Sequence, residues 1–103
     1  MPHLIFSGVK KEDVKKLSIT TLDNMANICN TTTDNFIYEF TDNTYFSNGK
    51  EMVKYPLIEV KMFYRGDEAE EKIFSLIKEE LEKMEYNDIE VYFIHLKEES
   101  YYY

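Results

Sequence analysis

The first residue of this chain with a chemistry of its own is the second one, Pro2. A small second residue lets methionine aminopeptidase remove Met1, and the chain would then begin with a secondary amine. Such an amine can act as a general base or as a nucleophile. Ordinary α-amines titrate near about 7.7–8.0. An apolar pocket or a neighbouring cation moves an ammonium lower, into the range where a base works at neutral pH. The plainer alternative is that Pro2 opens an edge strand, where its missing N–H costs little.

Other residues could serve such a base. Arg65 is the single arginine among twelve basic residues, and its planar fork suits a carboxylate. Its alternative is a surface ion pair with Asp67 or Glu68. His3 adjoins Pro2 and could move protons, as could His95; neither has companions at metal-ligand spacing. Glu39 and Glu59 stand in otherwise apolar runs; a carboxylate there could orient the amine or act as a general acid, but both read more simply as an exposed sheet face or an intersubunit ion pair. Cys29 continues a helical apolar stripe and reads as core. The sequence has no glycine-rich phosphate loop, paired-cysteine zinc pattern or Ser-His-Asp arrangement, and nothing in it calls for a cofactor or a metal.

Composition narrows the partners. At 103 residues the chain is one domain, 1–103, and 44% hydrophobic residues suffice for a core. A formal charge of −8 argues against nucleic acid and anionic membranes. Neither a long apolar run nor a signal peptide is present. A lone cysteine fits a reducing, cytoplasmic setting.

The elements that must position these residues follow from spacing. Residues 2–9 read as a strand. From Val14 to Cys29, Val14, Leu17, Met25 and Ile28 recur at helical spacing. Residues 30–35 form a polar break, and 36–46 read as a strand with Phe36, Tyr38 and Phe40 on one face. Asn48-Gly49 signals a hairpin, with a returning strand over 50–53. Residues 56–64 form a further strand. Asp67 and Glu70 resemble a capping pair ahead of a helix over 69–84, whose stripe is Ile73, Phe74, Ile77, Leu81 and Met84. Residues 89–96 form the last strand. The order is β-α-β twice, with Pro2 and Pro56 opening equivalent strands. Either a ferredoxin-like sandwich or a duplicated β-α-β unit, an α+β fold with four strands and two helices on one face, fits this order.

Several strands are apolar on both faces. Ile5 and Val9 oppose Leu4 and Phe6; Leu57 and Phe63 oppose Ile58, Val60 and Met62. Half-exposed strands alternate with polar residues. Two helices cover one face, so the other calls for a cover, most simply another subunit.

Taken together, these features resemble the tautomerase superfamily, to which macrophage migration inhibitory factor belongs. Within it, the chain is similar to a small bacterial tautomerase-like family with no assigned function. The residues that carry this are Met1-Pro2-His3-Leu4, Phe36-Ile37-Tyr38-Glu39-Phe40 through Tyr45-Phe46, Tyr55-Pro56-Leu57-Ile58-Glu59-Val60, Phe63-Tyr64-Arg65-Gly66 and Tyr101-Tyr102. The resemblance implies a four-stranded mixed sheet with two helices on one face and a small hairpin. It also implies a homo-oligomer, most simply a trimer, with an amino-terminal proline in a pocket near a subunit boundary. Pro2 matches the catalytic proline, and the substrate implied is a small keto or enol acid. Arg65, His3, Tyr38 and Tyr101 are the expected substrate contacts. Thr31 to Asn35 stand where some relatives carry a lysine, and Ile5 and Ser7 stand where arginines are expected in the first strand. These departures favour the alternative, a noncatalytic oligomer that keeps the fold for binding or assembly.

Overall fold

The computed structural model describes residues 2–103. Its elements are β1 (His3–Ser7), α1 (Lys11–Thr20), α2 (Leu22–Cys29), β2 (Ile37–Thr41), β3 (Tyr45–Ser47), β4 (Lys50–Met52), β5 (Leu57–Phe63), α3 (Asp67–Lys83) and β6 (Glu90–Leu96). Short 3-10 turns cover Thr33–Asn35 and Glu98–Ser100. The main sheet has the order β2-β1-β5-β6, and β3 with β4 form a separate hairpin. Strands β1 and β2 are parallel, as are β5 and β6, while β1 and β5 meet antiparallel at the centre. Each β-α-β unit therefore keeps its two strands adjacent. That is the duplicated unit rather than the split arrangement of a ferredoxin-like sandwich.

One core explains the layering. Leu4, Phe6, Ile58, Val60 and Met62 point to one face of the sheet and are buried against Val14, Leu17, Met25, Cys29, Ile73, Ile77 and Leu81 of the helices. Fully burying each such side chain stabilises by about 1.5–3 kcal/mol, so the helices are held mainly by this face. Phe74 departs from the expected stripe: it is partly exposed, with the Lys78 ammonium 5.7 Å from its ring centre. On the opposite face His3, Ile5, Leu57, Glu59, Lys61 and Phe63 are half-buried, whereas Ile37, Tyr92 and Ile94 are exposed. No helix among the described residues is long and apolar enough to cross a membrane.

Several local expectations change. The single first helix is two, α1 and α2, meeting at Thr21. The buried Thr21 hydroxyl donates to the Leu17 carbonyl at 2.6 Å, a back-bond that bends helices. The run 36–46 is likewise two strands, interrupted at Asp42-Asn43-Thr44, where the chain leaves the main sheet for the hairpin. Val9 does not share a face with Ile5. Gly8 adopts φ +73°, β1 has already ended, and Val9 turns into the core. Helix α3 begins after Gly66 without a side-chain cap. Asp67 instead accepts the Tyr64 hydroxyl at 2.6 Å, and Glu70 pairs with His95 at 2.5 Å. The hairpin falls where Asn-Gly placed it, with φ of 50° at Asn48 and 75° at Gly49.

Candidate functional site

Sheet register gathers the candidate residues at one end. His3 lies beside Ile37 of β2 and Lys61 of β5. Pro2, one residue earlier, is buried at this end, and its carbonyl accepts the Ile37 N–H at 3.1 Å. Strands β5 and β6 finish at the same end, so Phe63, Arg65 and the segment after Leu96 arrive there. That segment folds back: the Tyr101 ring meets Phe63 edge-on at 5.4 Å, and Tyr103 lies 5.9 Å from Tyr101. Between them is a cavity of about 640 Å³ lined by Asn35, Phe63, Glu98, Tyr101 and Tyr103, a size suited to a small ligand. A second groove of about 540 Å³ between α2 and α3, floored by Ile28 and Leu76, holds none of the expected residues. The aromatic cavity is the better candidate because it lies at the end of the sheet where β1 begins, although Pro2 is not itself among its lining residues.

The expected contacts divide. Tyr101 forms a wall of the cavity. Arg65 is exposed and is not part of its lining; the guanidinium Nη1 donates to the Cys29 carbonyl at 2.8 Å. It thus closes the carboxyl end of α2, where a cation is favoured, in place of the expected pairing with Asp67 or Glu68. A guanidinium has five N–H donors, so this bond does not exhaust it. His3 points to the outer sheet face and pairs with Glu39 at 2.7 Å. Tyr38 lies on the helix face, stacked on Phe6 at 6.0 Å, with its hydroxyl 2.6 Å from Thr21. Burial pushes its phenol up.

Nearby groups are fixed in other ways. Burial pushes the Cys29 thiol up, opposed by the Arg65 guanidinium, so Cys29 is core rather than nucleophile. Glu59 accepts the Tyr92 hydroxyl at 3.1 Å on the outer face and lies 3.8 Å from Lys61. The sequence reading missed Asn35, Glu98 and Tyr103 as cavity walls. The only signal for Tyr103 was the terminal tyrosine run. Asn35 and Glu98 sit in short polar turns whose partners are set by the fold.

The comparisons agree with this architecture. A solved structure of a domain of unknown function from Sebaldella termitidis is 33% identical, covering 100% of this chain and 95% of that chain with a TM-score of 0.90. A protein of unknown function from Vibrio cholerae is 29% identical, covering 99% and 83% with a TM-score of 0.85. A macrophage migration inhibitory factor-like protein from Entamoeba histolytica is 14% identical, covers 99% and 94%, and superposes with a TM-score of 0.73, so it shares the fold. No curated protein matches the chain. The family model described as Domain of unknown function (DUF1904) matches residues 1–103, and the chain belongs to that family.

Proposed function

We propose that the protein is a tautomerase-type proton-transfer catalyst that works as a homo-oligomer, most simply a trimer, in a reducing cytoplasm. The observation that carries this is the position of Pro2, buried at the sheet end where Phe63 and Tyr101 wall a cavity of small-molecule size. Removal of Met1 would free the Pro2 nitrogen. Its lone pair would take a proton from the carbon beside a carbonyl, leaving an enolate, and the prolinium would return that proton to the other end of the enol system. Aromatic walls keep water away and hold the ammonium form down. Arg65, outside the lining but at the same end of the sheet, would hold the carboxylate of a small keto or enol acid through donors not used on Cys29. His3, next in the chain, orients the start of β1 through Glu39, and Tyr38 supports β2 from behind.

A noncatalytic oligomer is the second reading. Two observations favour it: Arg65 stands outside the cavity lining, and the outer sheet face carries Ile5, Ile37, Leu57, Phe63 and Ile94 without a cover. Intact mass of the native protein separates the two. A retained Met1 leaves only the noncatalytic oligomer.

A further inference from the structure

Besides the hydroxyls of Tyr101 and Tyr103, which can donate or accept, the polar groups of the aromatic cavity are acceptors. The Asn35 amide nitrogen donates to Thr31 Oγ1 at 2.6 Å and to Thr32 Oγ1 at 3.2 Å. An amide nitrogen has two protons, so what Asn35 can offer a ligand is its carbonyl oxygen. Glu98 offers a carboxylate. The other walls are the rings of Phe63, Tyr101 and Tyr103. They are mutually inclined, by 69° between Phe63 and Tyr101 and by 53° between Tyr101 and Tyr103. Edge-on and tilted contacts leave ring faces uncovered where a parallel stack would hide them, and an aromatic face is the negative part of the ring quadrupole. Among the described residues no cationic side chain lines this cavity, and the whole chain carries a charge of −8.

We infer that this cavity binds a small organic cation, an alkylammonium or quaternary ammonium group, held between the Phe63, Tyr101 and Tyr103 rings and neutralised by Glu98. A cation within about 6 Å of an aromatic face is attracted by its quadrupole. A quaternary centre donates no conventional hydrogen bond, so rings and a carboxylate suffice for it. A carboxylate placed in the same volume would meet the Glu98 carboxylate and the ring faces, with tyrosine hydroxyls alone to donate to it and no cation to neutralise it. The inference goes beyond the acid–base reading and does not need Pro2 to be catalytic. If both hold, an anionic group sits toward Arg65, and the cavity takes a cationic part of the ligand.

Choline and its neutral carbon isostere 3,3-dimethylbutan-1-ol differ in charge with nearly the same shape. Titrating each into the protein, followed by the NMR shifts of the tyrosine rings, isolates the cation term. Choline is expected to bind about tenfold more tightly than the alcohol, given contributions from several rings and one carboxylate. Tyr101→Leu should remove most of that difference, whereas Tyr101→Phe, which keeps the ring, should retain it. Glu98→Gln should weaken choline about threefold and flatten its salt dependence. Choline binding is read from ring shifts without turnover and proton transfer from a rate, so failure of the proton-transfer reading and failure of this one are told apart. Equal binding of alcohol and choline, or choline binding indifferent to both Tyr101→Leu and Glu98→Gln, overturns the inference. So does the absence of a saturable shift where a site of about 10 mM affinity would be half filled.

Discussion

The hydroxyls of Tyr38 and Thr21 meet at 2.6 Å, tying β2 to the bend between α1 and α2. Thr21 spends its own proton on the Leu17 carbonyl, so Tyr38 is the donor. Tyr38→Phe removes that bond and leaves the ring stacked on Phe6. The expected cost is about 1 kcal/mol in urea unfolding, with any activity intact. Lost activity at unchanged stability would return Tyr38 to the site itself.

Gly8 ends β1 where the chain has no room for a side chain. A Cβ there would lie 2.1 Å from the Tyr55 carbonyl oxygen, and φ is +73°. Gly8→Ala should therefore destabilise by about 2–4 kcal/mol, from strain and a forced backbone shift. Thermal unfolding measures it; a change within about 0.5 kcal/mol would show that the two strand ends part freely.

Tyr86 joins the two β-α-β units. Its hydroxyl donates to Asp13 at 2.5 Å and accepts the Lys10 N–H at 3.0 Å. Burial, reinforced by the bond to Asp13, pushes the phenol up to about 12. The folded state therefore keeps the proton that the unfolded chain releases near about 10. Between those values the unfolded state binds fewer protons, so stability falls as pH rises. Ultraviolet titration should show one late-ionising tyrosine that Tyr86→Phe removes, together with part of the alkaline loss of stability.

Much of this was legible in the sequence because it depends on local pattern. The helical spacing of Ile73, Ile77 and Leu81, the Asn48-Gly49 turn and the two-faced apolarity of β1 and β5 are written in neighbouring residues. What escaped depends on distant partners. Thr21 bends a helix because of where its hydroxyl goes, and Asp67 fails as a cap because Tyr64 occupies it. Glu70 is held by His95, and Arg65 by the Cys29 carbonyl, 36 positions away. The candidate site was half legible for the same reason. Pro2 and Tyr101 stood out by type, but Asn35 and Glu98 become cavity walls only after the chain folds back on Phe63.

The outer sheet face yields a separate expectation. Ile5 lies near its middle, between Glu39 and Glu59 in register. Ile5→Glu places a third carboxylate beside Glu39 and Glu59 where a neighbouring subunit is proposed to pack, and burying unpaired like charges is costly. Light scattering should give an oligomer for the wild type and a folded monomer for the variant. A wild-type monomer at micromolar concentration contradicts the assembly.

Catalysis by this protein, as proposed, begins at the Pro2 amine. The decisive measurement is the tautomerisation rate of a small α-keto acid such as phenylpyruvate, with untagged protein shown by mass to begin at Pro2. The expected rate lies above the buffer reaction and falls about a hundredfold or more with Pro2→Ala, the loss that follows when a positioned general base is removed. Arg65→Ala should raise KM more than it lowers kcat. No acceleration by the processed protein, or acceleration that survives Pro2→Ala, contradicts catalysis by Pro2.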